Sequence, residues 1–149
     1  MAGSFSAKVS SWVAESKERM TAVRNMAVEA VVEIAQTPVG AGGNMPVDTG
    51  FLRASLFATT SGVLPPSRDG PGDGSFSYDA SDVLLTLAGA SLDDVVIIGW
   101  SASYARYVNY GARGRPGTKF RDLAAQQWSR IVAEASRELE AKVNAKGKA

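Results

Sequence analysis

The sequence predicts an α+β fold, with long N- and C-terminal helices packed on a small, mainly antiparallel sheet and a long loop between strands. Three observations predict this class. Apolar residues recur at helical spacing near both ends of the chain, short apolar runs typical of strands lie between them, and a stretch rich in Gly, Pro and Asp interrupts the middle. A chain of 149 residues is long enough for one core, so we expect a single domain over residues 1–149.

The first predicted helix covers residues 5–36. Ser4 or Ser6 can cap its start, and Thr37-Pro38 ends it, because the residue before a proline disfavours helical backbone. At the usual rise per residue this helix is roughly 45–50 Å long, which is more than one small core covers. We therefore expect its ends to lie against a second helix or a neighbouring subunit. Its apolar positions are Phe5, Val9, Trp12, Val13, Met20, Val23, Ala27, Ala30, Val31 and Ile34.

A short helical turn is predicted after a glycine-rich loop at residues 39–45. Asp48 or Thr49 is placed to cap this turn, which carries the apolar residues Phe51 and Leu52. Capping satisfies backbone N–H groups that have no partner inside a helix. The segment is thus predicted to be a fixed turn rather than a mobile connection.

The middle of the chain predicts three strands and one long loop. Residues 55–60 have strand composition, and residues 61–82 have the Gly, Pro and Asp content of a mobile loop. The apolar runs 83–88 and 95–100 are predicted to form an antiparallel hairpin. Neither run alternates between apolar and polar residues, so we expect both faces of the hairpin to be covered.

The C-terminal part predicts two helices joined by a loop. A short helix over residues 102–110 is followed by a basic, flexible loop over residues 111–117. A long helix is predicted from Phe120 to about Ala145, and residues 144–149 are expected to fray. Its apolar stripe consists of Leu123, Ala124, Trp128, Ile131, Ala135 and Leu139.

The composition excludes several kinds of site. The chain has no cysteine and no histidine, which excludes disulfides, thiolate or imidazole metal ligands, and Ser-His or Cys-His nucleophilic pairs. The formal net charge of +1 is too balanced to predict general affinity for DNA. No apolar run is long enough to span a bilayer. With no assembled catalytic set in the sequence, we expect a protein that is not an enzyme and that holds no cofactor or metal.

Three segments carry a resemblance to a known family. Residues 46–55 read Pro-Val-Asp-Thr-Gly-Phe-Leu-Arg-Ala-Ser, residues 104–111 read Tyr-Ala-Arg-Tyr-Val-Asn-Tyr-Gly, and residues 116–124 read Pro-Gly-Thr-Lys-Phe-Arg-Asp-Leu-Ala. In this order and spacing they resemble the neck or tail-completion family of long-tailed bacteriophages, whose members join a DNA-filled head to a tail. The match runs from Pro46 to about Ala125, and the long loop at residues 61–82 departs from the family pattern.

The resemblance implies a structural protein of the virion that acts through its interfaces. It implies a closed ring of six copies at the head–tail junction, through which DNA passes with transient contact. The implied partners are a head-closure or stopper protein and a tail terminator or tail tube protein. The implied location is the neck or tail of the virion, and the host cytoplasm during assembly. No membrane is implied.

Seven residues are candidates for these interfaces. Asp48 and Arg53 lie in the first segment, where the simpler alternative is an N-cap and an arginine bonded to nearby carbonyl groups. The aromatic flank of the short helix is either a recognition surface or core packing. Arg113 and Arg115 lie in a loop whose Gly-x-x-Gly-x-x-Gly spacing matches neither phosphate-binding fingerprint, and a plain connection is the better interpretation. The aromatic candidates are Tyr104, Tyr107 and Tyr110.

Two further interpretations remain at the level of sequence. Asp69 and Asp73 resemble the start of a calcium loop, but the later acidic ligands are missing, so a metal is not expected there. A different functional class is a monomeric or dimeric adaptor, not an enzyme, that holds a protein partner through its aromatic helix. The size of the protein in solution, and its presence in particles, distinguish the adaptor from the ring.

Overall fold

The computed structural model describes the backbone of residues 2–147 and the side chains of residues 4–147. The α+β class is confirmed, with long helices at both ends and two small antiparallel sheets. A 3-10 turn at Val39–Ala41 follows the first helix. The elements in chain order are α1 (Ala2–Gln36), α2 (Phe51–Ala54), β1 (Leu56–Thr59), α3 (Ser81–Gly89), β2 (Ile97–Trp100), α4 (Ala105–Tyr110), β3 (Gly111–Ala112), β4 (Arg115–Pro116), α5 (Phe120–Ala125) and α6 (Trp128–Gly147).

The main sheet pairs β1 with β2, which lie about forty residues apart in the chain. Leu56 is opposite Trp100 and Ala58 is opposite Ile98, so these four side chains share one face. That face packs on α1 and α3 to form the first core cluster. On the other face Phe57 lies across Gly99, where an added Cβ would meet the phenyl ring at 2.9 Å. The buried members of this first cluster are Val28, Val32, Leu56, Val83 and Leu87.

The prediction that residues 83–88 and 95–100 form a hairpin is wrong, because the first of these runs lies in helix α3. Val83 and Leu87 are buried at a spacing of four, whereas Leu84 and Leu85 between them are exposed, which is a helical pattern. The Asp79 carboxylate accepts the backbone N–H of Ser81 and so favours a helix start there. A short apolar run does not distinguish a buried strand from a helix by periodicity alone.

Two predictions for the C-terminal part also need correction. Residues 111–117 form a tight β3–β4 hairpin, whose turn residues Arg113 and Gly114 have φ values of 52° and 77° as a type I′ turn requires. The single helix predicted from Phe120 is divided into α5 and α6 by a turn at residues 126–127. Residues 144–147 are the last residues of α6, and residues 148–149 lie outside the described part of the chain, so the fraying expected for residues 144–149 stays a prediction.

The long loop, predicted over residues 61–82, ends at residue 80 because α3 begins at Ser81, and it has two points of attachment to the fold. The backbone N–H of Arg68 donates to the carbonyl of Ser101 at 2.7 Å, and the backbone carbonyl of Arg68 accepts the N–H of Ser103 at 2.7 Å. Further along, the N–H of Phe76 donates to the carbonyl of Thr49 at 2.8 Å. The structure therefore ties the loop to its own chain on either side of the Gly-rich residues 70–74.

The two long helices contact each other only along part of their length. Ala27 packs with Ile131 and Ala135, and the helices run in opposite directions. The residues of α1 before Thr21 have no such packing, since residues 4–20 are exposed apart from half-buried Ser16. This finding agrees with the prediction that α1 is longer than its own core can cover.

Candidate interface site

The three segments of the family-like pattern converge in one core cluster, which we call the motif core. It contains Phe51 and Leu52 from the first segment, Tyr104 and Val108 from the second, and Phe120 from the third. Met45 and Ala102 complete its buried part. Phe120 meets the Trp100 indole edge-on at 4.9 Å between ring centroids, which joins the motif core to the sheet. Segments far apart in sequence therefore form one packed unit.

The Asp-Thr-Gly turn is built around the glycine. Gly50 has φ 86°, and a Cβ at this position would lie 2.3 Å from the carbonyl oxygen of Phe76. Only glycine combines that backbone conformation with so close an approach. Gly50 is the N-cap of α2, and the Oγ1 of Thr49, one residue earlier, accepts the N–H of Phe51 at 3.3 Å. The turn is thus fixed from both sides, by Thr49 and by the loop residue Phe76.

Asp48 is not the capping residue that the sequence favoured. Its side chain is exposed, and among the described residues it makes no hydrogen bond or salt bridge. It borders a cavity of about 320 Å³, whose lining includes Phe51, Gly70 and Tyr104. An exposed carboxylate at the rim of a mostly apolar hollow is available to a partner, so Asp48 stays a candidate for contact.

Arg53 has the structural role that was its alternative interpretation. Its Nε donates to the carbonyl oxygen of Gln36 at 2.8 Å, and the Gln36 amide donates back to the Arg53 carbonyl at 2.8 Å. The Gln36 Oε1 also accepts the indole N–H of Trp100 at 2.9 Å. The guanidinium lies 5.1 Å from the centre of the Tyr78 ring. Arg53 therefore ties the end of α1 to α2.

The structure separates the three candidate tyrosines. Tyr104 precedes α4 and is half-buried, with its ring 6.4 Å from that of Phe51. Tyr107 and Tyr110 are 61% and 55% exposed. Burial raises the pKa of Tyr104, and the nearby Asp48 carboxylate raises it further, against a hydrogen bond with the Leu52 backbone that lowers it. Core packing is thus correct for Tyr104, while the other two remain available for recognition.

Basic side chains surround the two exposed tyrosines. Arg113 and Arg115 are exposed on the β3–β4 hairpin, next to the end of α4. Arg106 and Tyr110 line a cavity of about 490 Å³ together with Arg121, whose guanidinium lies 5.2 Å from the Tyr110 ring centre. We call this set the basic aromatic surface; it consists of Arg106, Tyr107, Tyr110, Arg113, Arg115 and Arg121.

Sequence reasoning missed Arg106, Arg121 and the buried Asn109. The Asn109 Oδ1 accepts the backbone N–H groups of Arg121 and Asp122, at 3.1 and 3.4 Å, and so fixes the start of α5 against α4. A signal was present, since Arg106 and Asn109 lie between the tyrosines of the second segment. Arg121 hydrogen-bonds to the Asp122 carboxylate, which lowers the pKa of Asp122 and raises that of Arg121.

The glycine spacing of the hairpin has a packing explanation. A Cβ at Gly111 would lie 2.6 Å from the Arg115 carbonyl oxygen, and one at Gly117 would lie 2.2 Å from the Asn109 carbonyl oxygen. Gly114 occupies the turn. These glycines let the hairpin close against α4, so their spacing needs no phosphate ligand.

No group of three or more Asp or Glu side chains lies close enough together to hold a metal ion in residues 2–147. Over the same residues, no helix combines the length and apolar character needed to cross a bilayer.

Comparison with protein-family models, with curated proteins and with solved structures found no significant match to this chain. The resemblance to phage neck proteins therefore stays a prediction from the three quoted sequence segments.

Proposed function

We propose that the protein is a structural component of a tailed phage or phage-like particle, forming a ring at the head–tail junction through which DNA passes. One observation carries the proposal: the three family-like segments, separated by up to about fifty residues, pack into a single motif core. Residues that are linked in this way behave as one unit, so their joint occurrence is less easily a coincidence of composition.

The proposal assigns contact to the side chains that the motif core leaves outside. The basic aromatic surface combines exposed tyrosine with arginine, the residue types enriched in the buried centres of protein interfaces. Its arginines suit an acidic edge of a neighbouring subunit or, transiently, the phosphates of passing DNA. Head-closure or stopper proteins on one side, and tail terminator or tail tube proteins on the other, are the proposed partners.

Deleting the gene tests the proposal. We expect heads that package DNA and tails that assemble, but few joined infectious particles, as read by plaque counting and electron microscopy of the lysate. Supplying the intact protein in trans should restore joining. Normal yields of joined virions without the protein would overturn the proposal.

A pair of matched variants localises the effect. Tyr107→Ser removes an exposed ring of the basic aromatic surface and should complement poorly. Leu85→Ser removes a comparably exposed apolar side chain, 71% accessible, on α3 outside that surface, and should complement fully. Equal complementation by both variants would mean that the basic aromatic surface has no part in joining heads to tails.

The adaptor alternative retains one supporting observation, the exposure of Tyr107 and Tyr110. A monomeric or dimeric adaptor would hold a protein partner through these rings and would be absent from purified particles. Mass spectrometry of purified virions distinguishes the two functions, because only the neck protein is present there in stoichiometric amounts.

A further inference from the structure

The α1 arm, residues 4–18, carries an apolar stripe that nothing in the described chain covers. Phe5 and Trp12 are 73% and 68% exposed, and Val9 and Val13 are 44% and 39% exposed. Their spacing continues that of Val23, Ala27, Ala30 and Ile34, the face of α1 that packs against α6. The stripe therefore continues the α6-packing face of α1 into the exposed N-terminal part of the helix.

A second uncovered apolar surface lies in the same chain and has the opposite shape. A groove of about 650 Å³ runs between α1 and α6. Trp128, which lines it, is 40% exposed, and Met20 is 57% exposed. The apolar lining residues are Met20, Val23, Trp128, Val132, Leu139 and Val143.

One chain cannot bring these two surfaces together. The arm belongs to the same continuous helix that forms one wall of the groove, so it cannot fold back into the groove without breaking α1. A protruding stripe and a groove on one molecule fit each other between copies. Two different surfaces can pair reciprocally in a two-fold dimer or head-to-tail, and the head-to-tail arrangement closes into a ring when the rotation permits.

The charges beside the two surfaces are complementary. Glu15 and Lys17 stand one residue to either side of Ser16, so they project about 100° to opposite flanks of the stripe. The groove has Arg19 on its α1 wall and Glu140 on its α6 wall. Among the described residues none of these four charges makes a salt bridge. Glu15 beside the partner's Arg19 and Lys17 beside the partner's Glu140 would set the orientation of the arm.

We infer that the α1 arm of one copy docks in the α1–α6 groove of the next copy. Two aromatic anchors bury roughly 300–500 Å², less than the approximately 800 Å² per partner of a stable complex. A single arm–groove contact between two copies is therefore weak. The contact becomes persistent when several copies form it at the same time. The inference deepens the proposed ring and rests on it only for the closure.

Cross-linking of purified full-length protein tests the docking. The chain has no cysteine, so each introduced thiol is unique. Ser16→Cys places a thiol on the stripe, and Ser136→Cys places one in the groove. A mixture of the two variants, treated with a short bismaleimide, should give a covalent dimer, while neither variant alone should. Ser11→Cys, exposed on the opposite face of the arm, replaces Ser16→Cys as the matched control and should give little product.

The other outcomes overturn the inference. Dimers from Ser16→Cys alone would mean that arms pair with arms, and absence of product in the mixture would mean that the groove is not the site. Equal product with Ser11→Cys would mean random collision. Adding Trp12→Ser to the Ser16→Cys variant should lower the yield about tenfold or more, whereas adding Leu85→Ser should not. Circular dichroism verifies that each variant is folded, and no virion is involved, so this test and the plaque assay can fail independently.

Discussion

The motif core and the α1 arm both carry aromatic side chains, but they use them in opposite ways. Phe120 in the motif core is 2% exposed, whereas Phe5 in the arm is 73% exposed. The motif-core residues satisfy one another within the chain. The arm presents its apolar side chains to whatever lies outside. The three quoted segments therefore lie where the molecule is already internally packed, and the exposed aromatic and basic side chains lie next to that core or far from it.

Replacing one phenylalanine in each region should give the largest difference in the free energy of unfolding between the two regions. Phe120→Ala leaves a cavity beside Trp100 and should lower the free energy of unfolding by about 3–5 kcal/mol. Phe5→Ala should change it by less than about 0.5 kcal/mol, because that ring packs on nothing in its own chain. Urea unfolding followed by circular dichroism measures both. A comparable loss in the Phe5 variant would show that the arm packs intramolecularly in solution.

Two glycines with similar backbone conformations separate strain from packing. Gly62→Ala, at φ 76° with open space around it, should lose about 1–2 kcal/mol through backbone strain alone. Gly50→Ala has the same strain and also drives a methyl group into the Phe76 carbonyl, which should add roughly 1–3 kcal/mol. The same urea titration measures the difference. Equal losses would mean that the loop carrying Phe76 moves away at little cost.

The fold was predictable where one period dominated over a long stretch. Helix α1 repeats its apolar residues over many turns, so its length and its end at Gln36 were expected. The prediction for α3 was wrong because residues 83–88 form a short apolar run. Periodicity over so few residues fits both a helix and a strand. The pairing of β1 with β2 depends on contacts across about forty residues, which no local pattern in this chain encodes.

The sequence predicted which segments form the candidate site, but it did not predict which residues in them are structural and which are exposed. The Asp-Thr-Gly pattern correctly indicated a fixed turn, yet Gly50 is the N-cap of α2, and Thr49 rather than Asp48 accepts the N–H of Phe51. The equal spacing of the tyrosines gave no sign that only Tyr104 is half-buried. Arg53 was a candidate for interface contact, but its hydrogen bond to the carbonyl oxygen of Gln36, seventeen residues earlier, joins α2 to the end of α1.

The phenol of Tyr104 in the motif core gives a smaller, pH-dependent effect. Because burial raises the folded-state pKa of Tyr104 above its ordinary value of 10.0, folding favours the protonated phenol. This contribution is complete below pH 10 and is lost as the pH rises through the folded-state pKa. Tyr104→Phe should therefore weaken the loss of stability above pH 10 relative to the unsubstituted protein. Thermal unfolding of both proteins between pH 8 and about 11.5 measures this difference. Parallel curves for the two proteins would contradict the prediction.

The smallest expected change in stability concerns Asp48 and its neighbour. Thr49→Ala removes the hydrogen bond from the N–H of Phe51 to the Thr49 hydroxyl and should cost about 1 kcal/mol. Asp48→Ala should cost less than about 0.5 kcal/mol, because no described group bonds to its exposed carboxylate. Urea unfolding measures both changes, and complementation of a gene deletion measures assembly.

The two measurements together decide what the Asp-Thr-Gly turn is for. If Asp48 contacts a partner, Asp48→Ala should complement less well than Thr49→Ala although it is the more stable protein, and Asp48→Asn should recover a hydrogen-bonding but not an ionic contact. If complementation instead follows stability through both variants, the turn acts only by holding Phe51 and Leu52 in the motif core. Asp48 would then have no part in assembly, and contact would belong to the basic aromatic surface and the α1 arm.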